Sequence, residues 1–196
     1  MAKLYYQGHG SYRIIGDGDK VIYIDPYAGD GYDKVADIIL VTHQHFDHNA
    51  TDKVGQKPGC VVITEKEALE GGKHNSFKIG DISIEAVTAA NQNHNPSECV
   101  GYIITVDGVK VYAAGDTSKT DDMSTFAAKK LDYAILPCDG QYNMDLDEAA
   151  ECAKIIGAKR NIPIHLTPGT LFDRERAEKF NGPNRLIVAA GEEITL

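Results

Sequence analysis

Ile38-Ile39-Leu40-Val41-Thr42-His43-Gln44-His45-Phe46-Asp47-His48 is the stretch on which the reading of this chain turns. An apolar run of the kind that forms a buried strand passes without a spacer into three histidines and an aspartate. With the strand ending near Thr42, His43 and His45 project to one side at alternate positions, and the following turn brings Asp47 and His48 round as a second ligand cluster. The chain has only seven histidines, so three of them within residues 43–48 is not the scatter of a solvated surface. Imidazole and carboxylate are the donors of open, catalytic zinc sites, whereas closed structural sites favour thiolate.

Outward from this stretch the chain reads as short strands between Gly- and Asp-rich turns. The expected strands are 4–6, 11–15, 21–24, 38–41 and 61–64, with hairpins dominant. Thr64 and Glu67 form a capping-box pattern for a brief helix that Gly71-Gly72 ends. Further strands are expected over 79–87, 101–106 and 109–114. Asp145 and Glu148 then open a helix with Ala149, Ala150, Ala153, Ile155 and Ile156 on its apolar face, closed by Gly157. A strand over 161–165, a helical segment near 174–180 and a last strand over 185–188 complete the pass. Two blocks of strands with intervening helices predict an α/β fold: two mixed sheets packed face to face with helices outside, an αββα sandwich.

The 196 residues suit one domain spanning 1–196, and 42% hydrophobic with 25% charged residues is globular composition. A net charge of −9 argues against nucleic-acid binding. There is no apolar run long enough to span a membrane and no signal-like start, which predicts a cytoplasmic protein without a membrane partner. Cys60, Cys99, Cys138 and Cys152 lie far apart without C-x-x-C pairing and read as small buried hydrophobes rather than a disulfide or thiolate-zinc framework. A reactive thiol at Cys138 is the less favoured alternative.

The string His43-Gln44-His45-Phe46-Asp47-His48 resembles the H-x-H-x-D-H motif of the metallo-β-lactamase superfamily. Gly8-His9-Gly10-Ser11, Ile24-Asp25-Pro26, Asn91 with His94, Ala114-Gly115-Asp116-Thr117 and Ile162-Pro163-Ile164-His165 follow in the superfamily's order. Leu136-Pro137 and the Tyr142-Asn143-Met144 loop look like the branch of small metal-dependent hydrolases that includes the ascorbate-6-phosphate lactonases. The resemblance implies that His43, His45 and His94 bind one divalent ion, that Asp47, His48 and His165 bind a second, and that Asp116 bridges them. Asp116 and His165 also fall at expected strand ends. Asp25 and His9 are candidates to orient ligand histidines through the free ring nitrogen.

Two such ions, zinc by preference with manganese or iron(II) as alternatives, would share a water, acidify it to a pKa of about 7 and deliver hydroxide to the substrate. Asp47 and Asp116 are the candidate catalytic carboxylates, although coordination lowers the basicity that proton transfer by Asp47 would need. The expected activity is hydrolysis of a small ester, lactone or phosphoester, with no nucleic-acid partner and with homo-oligomers compatible. A di-iron redox protein of the same fold is the first alternative; His45, where such proteins carry a carboxylate, speaks against it. A metal-binding protein without turnover is the second.

Overall fold

Strand pairing in this chain follows its β-branched and aromatic residues closely. The computed structural model describes residues 1–196. In chain order the elements are β1 (Lys3–Gly8), β2 (Ser11–Gly16), β3 (Lys20–Ile24), β4 (Ala36–Leu40), β5 (Gln56–Ile63), α1 (Glu65–Ala68), β6 (Ser76–Ile79) and β7 (Ile82–Thr88). They continue with β8 (Val100–Val106), β9 (Val109–Ala113), β10 (Tyr133–Pro137), α2 (Leu146–Ile156), β11 (Arg160–Ile164), α3 (Arg174–Lys179) and β12 (Glu193–Thr195). One six-stranded sheet has the order β12-β1-β2-β3-β4-β5 and the other β11-β10-β9-β8-β7-β6. Both are mixed, as expected. The first is antiparallel up to β3 and parallel across β3-β4-β5, and the second is antiparallel from β6 to β9 and parallel across β9-β10-β11.

The inner faces of the two sheets enclose the main core. Leu4, Ile14, Ile22, Ile38 and Leu40 from the first meet Ile84, Tyr102, Ile104, Val111 and Ile135 from the second. On the outer face of the second sheet, α2 and the 3-10 segment Asp121–Lys129 bury Met123, Phe126, Ala149, Ala153 and Ile156 against Tyr112, Ala134 and Leu136. Helix α2 begins where the Asp145 carboxylate accepts from the backbone N–H groups of Asp147 and Glu148, and it stops at Gly157 in the left-handed region. A smaller cluster around Val21, Tyr23, Ile39 and Val41 covers the outer face of the first sheet.

Three expectations change. Parallel pairing of β3, β4 and β5 replaces the expected dominance of hairpins in the first half, because the long connections over residues 25–35 and 41–55 let consecutive strands run the same way. Strand β5 starts at Gln56 and runs through Pro58-Gly59, residues that read as turn formers; it is an edge strand with a shifted register, where proline is tolerated. Residues 185–188 form no strand: only Arg185 bridges, to Asn161, and Val188 is buried by packing alone. The terminal strand is instead β12, which pairs Glu193, Ile194 and Thr195 with Tyr5, Leu4 and Lys3.

The topology decides where chemistry sits. Strands β1, β3 and β4 run in one direction, and so do β7, β9, β10 and β11, so the loops that follow them open at one rim of the sandwich. At that rim the sheets are stitched together: Val100 N–H donates to Thr42 O (3.0 Å), His165 N–H to His9 O (3.0 Å) and the Tyr102 hydroxyl to Val41 O (3.0 Å).

Candidate metal centre

Each polar residue singled out in the sequence lies on one of these rim loops. His43, His45, Asp47 and His48 follow β4, Asp25 follows β3, His9 follows β1, His94 follows β7, Asp116 follows β9 and His165 follows β11. The structure brings all nine together. The nitrogens and carboxylate oxygens of all but Asp25 fall into three overlapping groups able to hold a metal ion: His43 with His45 and His94; His43 with His48 and Asp116; and His9 with Asp47, His48 and His165. Apart from exposed His45 and half-buried Asp47, the nine are buried.

Outer partners fix how the histidines point. Thr42 Oγ1 donates to Asp25 Oδ2 (2.7 Å), so it accepts the Nδ1 proton of His43 (2.9 Å). His48 donates from Nδ1 to Asp25 Oδ2 (2.9 Å), and His94 donates from Nδ1 to Asn91 Oδ1 (2.8 Å). His165 Nδ1 sits 3.1 Å from Asp139 Oδ2, at ion-pair distance but off the line of a good hydrogen bond. Four rings are thereby held with Nδ1 facing an acceptor and Nε2 facing the common centre. The Nε2 atoms of His43, His48 and His165 are buried with no hydrogen-bond partner. Buried nitrogens are rarely left that way, and a divalent cation is the group this donor set fits.

Asp116 stands between the clusters, with Oδ1 3.4 Å from His48 Nε2 and Oδ2 3.5 Å and 3.7 Å from the Nε2 atoms of His94 and His165. It follows Gly115, whose φ of +63° and contact with Thr42 leave no room for a side chain: an added Cβ would lie 2.8 Å from Thr42 Cβ. Gly115→Ala is expected to cost about 2 kcal/mol from overpacking and left-handed strain together, and to reduce bound metal because Thr42 holds His43; an unchanged melting temperature and metal content would contradict this packing. His9, Asp25 and His165 also have positive φ (56°, 45° and 46°). Three strained non-glycine residues in one site are the kind of backbone cost that clusters where geometry serves function.

His9 departs from its expected role. Its Nε2 donates to Asp47 Oδ2 (3.0 Å), so it steadies a carboxylate and not a histidine, while its ring lies on His165 at 3.8 Å between centroids. Asp25 accepts from His48 Nδ1 through Oδ2 (2.9 Å) and from the backbone N–H of Thr42 through Oδ1 (2.7 Å). Sequence reading missed Thr42 and Asp139 as orienting groups. Asp139 carries a signal in retrospect, since it follows the end of β10 as Asp25 follows β3. Cys138 beside it is buried, and burial pushes its thiol well above the ordinary range, which removes it as a nucleophile.

Charge follows from this crowding. Burial pushes His43 down to about 2, reinforced by His48. Burial also disfavours charge on His48, but the Asp116 and Asp25 carboxylates outweigh it and raise His48 to about 9. For Asp47 and Asp116 burial works upward and is overcome, by the His9 hydrogen bond in the first and by His48 and His165 in the second, so both stay well below the carboxylate range. Without metal, His48 therefore keeps a proton below about pH 9, and a cation at its Nε2 must displace that proton. Apparent zinc affinity is expected to rise about tenfold or more per pH unit between pH 6 and 8, measured by chelator competition; a flat profile would contradict the assignment of His48.

The sequence profile of the β-lactamase superfamily domain matches residues 3–165. The chain belongs to the metallo-β-lactamase superfamily. Within that superfamily it falls among the small metal-dependent hydrolases: it is 30% identical to a UPF0173 metal-dependent hydrolase of Pyrococcus furiosus, covering 100% of both chains. It is 33% identical to another from Thermoplasma volcanium, covering 98% of this chain and 94% of the relative. The metallo hydrolase Igni18 of Ignicoccus hospitalis shares the fold with a TM-score of 0.77 at 24% identity, over 100% of this chain and 98% of that one. This metallo-β-lactamase-superfamily chain is thus a metal-dependent hydrolase, and no helix in it is long and apolar enough to cross a membrane.

Proposed function

We propose that the chain is a dinuclear hydrolase, zinc-loaded by preference, that opens a small ester, lactone or phosphoester. The observation that carries this reading is the set of buried, unpartnered Nε2 atoms converging on Asp116. His43, His45 and His94 would hold one ion, Asp47, His48 and His165 the other, and Asp116 both. When bound, the pair supplies an acidified water as nucleophile and a Lewis acid for the oxygen that gains charge.

The remaining work belongs to the chain. Asp25, Asn91 and Thr42 keep the Nε2 lone pairs of His48, His94 and His43 directed inward by fixing the Nδ1 proton. Asp47, held below the carboxylate range, is too weak a base to take a proton at neutral pH and acts by position, steadied by the Nε2 proton of His9. The centre opens on a cleft of about 550 Å³ lined by His45, Phe46, Asp47, Asn93, Tyr142 and Pro168 among others, a volume suited to a small metabolite rather than a polymer. The protein is expected to act as a cytoplasmic, single-domain enzyme.

Activity against a panel of lactones, aryl esters and a phosphodiester tests the reading. Turnover that a chelator abolishes and zinc restores is expected, and no turnover by fully zinc-loaded protein across the panel would contradict it.

A further inference from the structure

Resting on the hydrolase reading, we infer that the substrate carries an uncharged apolar arm, alkyl or aryl, beside its scissile bond, and that Phe46 and Tyr142 receive it. Of the chain's five exposed large hydrophobic residues, these two line the metal-centre cleft. Phe46 is 76% exposed on the loop between His45 and Asp47, its ring in T-shaped contact with Tyr27 alone among the aromatic residues, 5.8 Å between centroids. Tyr142 comes from the other sheet, on the loop after β10. Isolated exposed hydrophobic residues need no explanation, but two aromatic residues contributed by two sheets to one cleft beside the candidate metal centre place apolar surface where a substrate would lie.

The backbones beneath both rings are fixed. His48 N–H donates to His45 O (3.0 Å) across Phe46. Tyr142 N–H donates to Asp139 Oδ1 (2.6 Å), and Tyr142 O accepts from Asn91 Nδ2 (2.9 Å) and Asn93 Nδ2 (3.2 Å). Rings set on a rigid backbone lose little entropy when a ligand packs on them.

Charge excludes the main competitor, an anionic arm. No lysine or arginine lines the cleft, nor the two adjoining hollows, which instead hold Glu65 and Glu98 on one side and Asp145 and Glu148 on the other. The chain as a whole carries −9. A phosphate or carboxylate away from the metals would lose its hydration there with no cation to replace it. The lining therefore disfavours a phosphorylated lactone of the kind that resemblance to the ascorbate-6-phosphate lactonases suggests.

The test uses zinc-loaded protein and γ-butyrolactones bearing a hexyl, a carboxymethyl or an aminoethyl arm, together with saturation-transfer NMR of 2-hexylcyclopentanone, whose ring cannot be hydrolysed. The hexyl lactone is expected to lead the charged pair by about tenfold or more in kcat/KM, mainly through KM. Phe46→Ala and Tyr142→Ala should each remove most of that preference and weaken saturation transfer to the hexyl chain, while Phe46→Leu retains both. A preference for either charged lactone, a hexyl preference unaffected by Phe46→Ala, or a Phe46→Ala change in oligomeric state by light scattering would overturn the inference. Phe46-dependent binding of the ketone without hydrolysis of any lactone, ester or phosphoester would uphold the apolar arm and defeat the hydrolase reading; hydrolysis without arm preference would do the reverse.

Discussion

Asp116→Ala is expected to lower hydrolysis by about a thousandfold or more and to leave at most one tightly held ion per chain. Asp116 is the carboxylate set between the two histidine clusters, with one oxygen toward His48 and the other toward His94 and His165. In the proposed centre it is a ligand shared by both ions, and a metal pair of this type contributes several kcal/mol to charge stabilisation, which converts to at least three powers of ten in rate. Asp116→Asn separates chemistry from folding, because it preserves volume while halving the acceptor capacity. It should melt near the parent temperature yet bind metal weakly. Near-parental activity in both variants, with two ions retained, would remove Asp116 from the centre.

Asp25→Ala is expected to have the largest effect on stability. Asp25 is 1% exposed and its carboxylate accepts from Thr42 N–H, Thr42 Oγ1 and His48 Nδ1, so its loss strands three buried donors. Breaking a buried charged network of this kind costs about 3 kcal/mol or more, or roughly 10 °C in melting temperature for a chain of this size. Zinc affinity should fall about 10–100-fold as His48 loses its orienting acceptor. Asp25→Asn distinguishes the two effects. Its carbonyl can still serve Thr42, but an amide group toward His48 Nδ1 favours the tautomer with the proton on Nε2, so metal binding should suffer more than melting temperature. Equal, small losses in both variants would show that Asp25 is an ordinary buried polar group.

Much of the site was legible because it depends on local rules. A buried strand running straight into His43-Gln44-His45-Phe46-Asp47-His48 already implies a ligand-rich rim, and Asp25, Asp116 and His165 each follow an apolar strand by one to three residues. The two-sheet sandwich was legible for the same reason, as were the Thr64 capping box and the Asp145–Gly157 helix signals. What escaped was set by pairing between distant segments. Asp139 reaches His165 only because β10 lies parallel beside β11, and His9 meets Asp47 only because β1 opens at the same rim as β4. Residues 185–188 look like a strand, but local pattern cannot show that β1 has its free edge filled by Glu193–Thr195 instead.

Native mass spectrometry of the chain purified without added metal, then titrated with zinc, tests the paired-ion centre most directly. Saturation at two zinc ions per chain, with uptake reduced in Asp116→Ala, is the predicted result. Saturation at a single ion, or uptake of two ions that is indifferent to Asp116, would contradict it.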